Sequence, residues 1–210
     1  MRLARGAAGA LLLALLLGAG AAGAQPYDPA YRWRTIRTEH FRIHFHQGEE
    51  RLADEIAAAA ERAHQVLSPV LGYAPRTRTE VVISDDTDDA NGSATPVPYD
   101  TIRLFATPPP ELSELNAYRD WISSLVFHEY VHILHLDHVE GVPAAANRVF
   151  GKLFAPNGLV PSWMTEGLAV LHEADGDPGY ESGRNRSAIH DMYLRSLAVE
   201  PPGFPRLDQV

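Results

Sequence analysis

The sequence predicts an α+β fold: a small mixed sheet near the N-terminus, packed on one deeply buried helix and followed by a helical part. Three observations predict it. Residues 39–46 alternate strictly between apolar and polar side chains, the period of a half-buried strand. Residues 116–140 contain no Gly or Pro and carry apolar side chains around most of the helical surface, as a helix buried on several sides does. The order of elements, strand, helix, strand, strand and then helices, keeps the strands early and the helices late.

The chain has 210 residues, enough for one compact domain with a real core or at most two small ones. Residues 1–24 stand apart. Arg2 and Arg5 open them, an apolar run covers residues 11–17, and Ala22, Gly23 and Ala24 close them. That is the layout of a secretory signal peptide cut between Ala24 and Gln25. The run is too short for a membrane span, so no span is expected after cleavage and the domain is residues 25–210. The expected location is exported, periplasmic or extracellular in a bacterium. There is no Cys, hence no lipidated N-terminal Cys, no disulfide and no thiolate ligand; any metal must be held by His, Asp or Glu. The formal charge is −9 and becomes −11 without Arg2 and Arg5. An acidic chain with no basic stripe is a poor nucleic-acid binder.

In residues 39–46, Phe41, Ile43 and Phe45 share one face and Arg42, His44 and His46 the other, so both histidines are expected on the solvent side. Residues 49–71 follow helical spacing through Leu52, Ile56, Ala59, Ala60, Ala63, Val66 and Leu67, with Gly72 as the stop. Strands follow at about 78–84 and 101–106, the latter read as a sheet edge. Residues 85–92 resemble a calcium loop, but with Gly92 as the turn glycine the first and last ligand positions fall on Thr87 and Pro98. The register fails, and an acidic surface loop is expected. The helix over 116–140 ends at Gly141-Val142-Pro143, with Asp137 and Glu140 solvated near its end. Another starts near Ser162, entered through Pro161.

His128-Glu129-Tyr130-Val131-His132 is an HExxH motif. On a helix, positions i and i+4 project from one face, and two imidazoles there can each reach a zinc ion at roughly 2.0–2.1 Å. Glu129 then sits beside the open coordination position, placed to take a proton from water and pass it on. Burying two His and one Glu in an apolar helix is costly unless they are paired or metal-bound. A catalytic zinc needs a third protein ligand. Glu166, opening the next helix, is favoured; Gly167 and Ala169 beside it are small enough for close approach of two helices. His138 is the alternative, because residues 128–138 read HExxHxxHxxH. His135 stands where the chain would need a glycine to turn back, which counts against it. Glu173 is a weaker carboxylate candidate that either holds a ligand in place from behind or lies on the surface. His135 lines the cleft, bonds to Glu166, or is a capped core histidine.

The residues HEYVH followed by P-x-W-x-x-E-G-L-A resemble the gluzincin metallopeptidases. More closely, the chain is similar to the peptidase-MA-like domains that precede a Tol-like β-propeller in exported bacterial proteins. The resemblance spans about residues 33–210. It implies a zincin-like fold, one zinc ion per chain on His128, His132 and Glu166, and Glu129 as general base. It also implies a peptide or protein substrate and a C-terminal β-propeller in the full-length protein. Glu166 lies further from His132 than in the best-known gluzincins, so residues 141–160 are expected to form an extra excursion. The glycine-rich aminopeptidase segment is absent, so aminopeptidase activity is not implied. The oxyanion of such enzymes is stabilised by a later Tyr or His, for which Tyr193 and His190 are candidates unless the donor lies outside this chain. Related domains continue with further helices, so truncation at the C-terminal end is expected. Two functions follow: an exported zinc metallopeptidase, or a catalytically silent, zinc-bound zincin module that docks within a larger cell-envelope protein.

Overall fold

A computed structural model describes residues 28–85, 91–105, 107, 120–175, 183–184 and 187–199. The expected signal peptide, most of the acidic loop and the proline-rich stretch after residue 200 lie outside the described residues. The chain divides into two units, Met1–Tyr31 and Arg32–Val210. In the first, Asp28 turns the chain by accepting from the Ala30 N–H at 2.8 Å.

The second unit is α+β, with a five-stranded mixed sheet and five α-helices among the described residues. The strands are β1 (Arg34–Arg37), β2 (Phe41–Phe45), β3 (Thr79–Ser84), β4 (Gly92–Thr95) and β5 (Thr101–Phe105), in the spatial order β1-β2-β3-β5-β4. β2, β3 and β5 run parallel, while β1 and β4 pair antiparallel at the two edges. The helices are α1 (Glu50–Leu71), α2 (Trp121–Asp137), α3 (Gly141–Phe150), α4 (Ser162–His172) and α5 (Ala188–Val199). A short 3₁₀ turn, Pro156–Leu159, lies between α3 and α4.

The alternation expected for residues 39–46 holds in β2. Phe41, Ile43 and Phe45 are buried, together with Val81, Ile83, Ile102 and Leu104 of the neighbouring strands. On the opposite face, Glu80 of β3 accepts from Arg42 and from His44 Nε2, the latter at 2.7 Å. One sheet face is thus the core and the other is polar, which a sheet with antiparallel edges tolerates. His46 departs from expectation. It falls one residue past the strand, where the pleat no longer dictates its direction, and it is buried.

The strand at 101–106 is not an edge. β4, for which the sequence predicts no strand, covers its outer side. Gly92 to Thr95 carry small side chains, so no apolar alternation marks this short strand.

α1 joins β2 to β3 and packs Ala53, Ile56, Ala60, Ala63 and Leu67 into the core. It stops at Gly72, which takes a left-handed conformation (φ 66°) that only glycine adopts freely; its N–H donates to the Ser68 carbonyl. α2 is apolar almost all round and is buried against α1, β4, β5 and α4. Asp120 caps it by accepting from the Ser123 N–H at 3.0 Å. Tyr130, in the middle of the HExxH motif, points away from the histidines into the core. Its ring lies 5.2 Å from that of Phe41, and its hydroxyl is 2.7 Å from His64 Nδ1 of α1. The buried phenol is thereby satisfied, and α2 is fixed in rotation against both the sheet and α1.

α2 ends at Asp137, before the expected Gly141. Asn157, in the 3₁₀ turn, donates from Nδ2 to the carbonyls of His135 (2.8 Å) and His138 (3.0 Å). Carbonyls left over at a helix end need such partners, and here a distant segment supplies them. The expected excursion at 141–160 is α3 and this turn; it exposes Val142, Val149, Phe150 and Leu159.

Asp137, expected to be solvated, is buried. Its carboxylate accepts from the Tyr73 hydroxyl at 2.6 Å and pairs with Lys152, which also reaches the buried Asp100 at 2.6 Å. Burial pushes the Asp100 carboxyl above its usual range; Lys152 opposes this and the neighbouring Asp137 adds to it. Lys152 therefore stabilises two buried carboxylates at the junction of α2, β5 and the excursion. Lys152→Met leaves them without a cation and is expected to cost about 3 kcal/mol in urea unfolding at neutral pH. A loss within experimental error would contradict this role.

Candidate metal centre

The burial of α2 sets the site. Phe127, Tyr130, Val131 and Leu134 occupy its core faces, which leaves His128 and His132, one turn apart, to share the face toward α4. His128 Nε2 and His132 Nε2 lie 3.2 Å apart. Glu166 Oε2 is 3.4 Å from the first and 3.6 Å from the second. The three atoms form a nearly equilateral triangle. Ligands at zinc-like bond lengths in tetrahedral geometry stand roughly 3.3 Å from one another, so the set fits an ion of that kind. It also leaves a fourth direction toward a cleft.

Asn91 to Ala94 on and beside β4, Leu125, Leu136, Thr165 and Arg184 complete the lining of that cleft with the two His, Glu129 and Glu166. Both imidazoles and Glu129 are buried, whereas the Glu166 side chain is 58% exposed. Burial holds the His132 imidazole well below its usual range; His128 adds to this and Glu166 opposes it. A neutral imidazole is the form that ligates a metal. Burial raises Glu129 to about 7, with His128 opposing and the Glu166 carboxylate adding.

Glu166 is in place because α4 begins at Ser162, as the Pro161-Ser162 entry predicts. Ala169 is fully buried where α4 meets α2. Gly167 does not contribute to that approach, since a Cβ there would meet nothing within 4 Å. His138 is not brought to the cluster. It leaves the helical conformation (φ −72°, ψ 82°) and stacks on Tyr73 with ring centroids 4.8 Å apart. His135 makes no contact with Glu166 among the described residues and is absent from the cleft lining; its Nε2 is buried without a partner. His190 and Tyr193 sit on α5, which buries no residue, and neither lines the cleft.

Two supports at the site had little or no sequence signal. Glu173, just past α4, is buried, and its carboxylate accepts from the Arg184 guanidinium at 2.8 Å and from the Arg184 N–H at 2.6 Å. It also stands 3.5 Å from His128 Nδ1, while Arg184 Nη2 stands 3.0 Å from that nitrogen. Ligation through Nε2 requires Nδ1 to carry the proton and donate to Glu173. The guanidinium, which only donates, must then yield its place at Nδ1 while keeping Glu173. Sequence reasoning weighed Glu173 for this place behind a ligand; Arg184 had no signal.

Gly92 is the second. A Cβ at this position would lie 2.8 Å from Glu129 Oε1 and 2.9 Å from its Cγ. The glycine in β4 is the space into which the Glu129 carboxylate packs. Nothing in the sequence marks this role, because Gly92 reads there as the turn glycine of the acidic loop.

Comparison with protein-family models finds no match for this chain, and comparison with curated proteins finds none either.

Two outcomes follow. Gly92→Ala overpacks the site and is expected to cost about 1–3 kcal/mol. The cost should vanish in a Glu129→Ala background, where the clashing side chain is gone; an unchanged cost there would contradict the contact. The second concerns protein stripped of divalent cations. Glu129, near 4.5 unfolded and about 7 folded, takes up a proton on folding between those values. Stability is therefore greatest at the acid end and falls as pH rises from about 4.5 to about 7, by up to about 3 kcal/mol. Urea unfolding of the metal-free protein beside Glu129→Gln isolates this group from Asp100. The wild type should lose stability relative to the variant across that window, and parallel curves would contradict it.

Proposed function

We propose that the protein is an exported, zinc-dependent metallopeptidase of the gluzincin type, with a zincin-like fold. One observation carries the reading: three donor atoms on two packed helices stand 3.2–3.6 Å from one another, beside a buried carboxylate at the mouth of a cleft. His128, His132 and Glu166 would hold one zinc ion per chain. When bound, that ion supplies Lewis acidity, making water easier to deprotonate and a carbonyl easier to attack.

The chain's own residues do the rest. Glu129 takes a proton from the attacking water as its oxygen bonds to the carbonyl carbon. It returns that proton to the amide nitrogen as the C–N bond breaks, releasing an amine and a carboxylate. Its burial favours this exchange by holding its pKa near neutrality. Glu173 orients His128 from behind. β4, an edge strand beside the cleft, offers its outer side to an extended peptide. A peptide in that position runs past Gly92 and Glu129.

No helix among the described residues is long and apolar enough to cross a membrane. Export, a peptide or protein substrate and a following β-propeller belong to this same reading, through the family resemblance.

Glu129→Gln keeps the shape of the site and removes the base. It should retain as much zinc per chain as the wild type by elemental analysis and lose about 10²–10⁴-fold in cleavage of an unfolded protein substrate. Wild-type rates in this variant would overturn the mechanism.

A further inference from the structure

A second group of donor atoms lies where the carboxyl ends of β2 and β3 meet the start of α1. His46 directly follows β2, Asp85 directly follows β3, and Glu49 immediately precedes α1. His46 Nε2 is 3.0 Å from Asp85 Oδ1 and 4.0 Å from Glu49 Oε1. One donor atom from each of the three lies within 4.8 Å of the others. His46 and Glu49 are about nine-tenths buried, and Asp85 is exposed, with 44% of its side chain open to solvent.

Two further observations point to a ligand. Glu49 does not cap α1 with its side chain, and its Oε2 is buried with no hydrogen-bond partner among the described residues. A buried carboxylate oxygen with no donor is costly. His46 Nδ1 is 2.9 Å from the Gln47 carbonyl. That oxygen only accepts, so Nδ1 carries a proton, and in the neutral ring Nε2 presents a lone pair. The lone pair then faces the Asp85 carboxylate across 3.0 Å, two acceptors in contact, unless a cation or a second proton stands between them. A backbone carbonyl behind one ring nitrogen is how a metal-binding histidine is usually held. Trp33, edge-on to the ring with centroids 5.9 Å apart, packs against it.

We propose that His46, Glu49 and Asp85 bind a second divalent transition cation of the zinc class, which ties the ends of β2 and β3 to the start of α1. One imidazole and two carboxylates supply two negative charges to a dication. The nitrogen donor favours zinc over calcium or magnesium, which take oxygen. The positive end of α1 opposes a cation weakly, and the two carboxylates outweigh it. The site is separate from the His128 centre and does not depend on its function. In a chain without Cys, the ion would serve as the cross-link between segments 39 residues apart.

The test uses the full chain as the double variant His128→Ala/His132→Ala, dialysed against zinc and analysed for bound metal. One zinc per chain should remain. Adding Glu49→Gln or, at the more exposed position, Asp85→Asn should weaken its binding at least tenfold, with the circular dichroism spectrum unchanged. Zinc at a hundred times its Kd should raise the Tm of the double variant by roughly 5–10 °C, and at the same zinc concentration either carboxylate variant should show about half that rise or less. No retained zinc in the double variant would overturn the proposal and leave a protonated His46 paired with the carboxylates. Retention undiminished in both carboxylate variants, or displacement of zinc by an equal concentration of calcium, would overturn it too.

Discussion

The site depends on α2 being buried on nearly every side. A helix enclosed by α1, the sheet and α4 has little freedom to rotate, and the Tyr130 hydroxyl bond to His64 restricts it further. Its residues are therefore sorted by direction. Large apolar side chains fill the core, and the two histidines and Glu129 take the one sector that opens on a cleft. The same enclosure strips water from these three polar groups. That lowers the His132 imidazole and raises the Glu129 carboxyl. Burial is thus the largest influence on the electrostatics, modulated by the charges of His128 and Glu166.

Much of this was legible in the sequence, because the strongest signals are periodic. The alternation of residues 39–46, the helical spacing of 49–71 and the unbroken apolar stretch around HEYVH each survive as β2, α1 and α2 within a few residues. His128, His132 and Glu166 come together as the spacing and the Pro161-Ser162 entry implied. The failures share a cause: contacts between distant segments leave no local pattern. Asn157 ends α2 from 19 or more residues away, and Lys152 draws Asp137 inside. β4 is too short and too small in side chains to alternate visibly. Gly92 read as a loop glycine because the carboxylate that needs its missing Cβ lies on another element. His46 was assigned by strand parity, which stops applying one residue beyond the strand.

The architecture divides labour between sheet and helices. The parallel strands and α1 form a rigid base whose buried face is almost wholly apolar. Among the described residues, the buried Asp, Glu and His side chains gather in three places: the Asp100–Lys152–Asp137 junction, the ends of β2 and β3, and the cleft beside β4. The first closes its charges with a lysine. The other two present converging histidine and carboxylate donors, one of them with an unpartnered buried oxygen. A chain that has no cysteine has few other means of cross-linking, and histidine with carboxylate is the donor chemistry left to it.

The most direct measurement of the central claim is an anomalous difference map at the zinc absorption edge, from crystals of the zinc-loaded protein. A peak is expected about 2.0–2.2 Å from His128 Nε2, His132 Nε2 and a Glu166 carboxylate oxygen, with Glu129 outside the coordination sphere. No peak between the two histidines, or a peak ligated by His138 in place of Glu166, would contradict it.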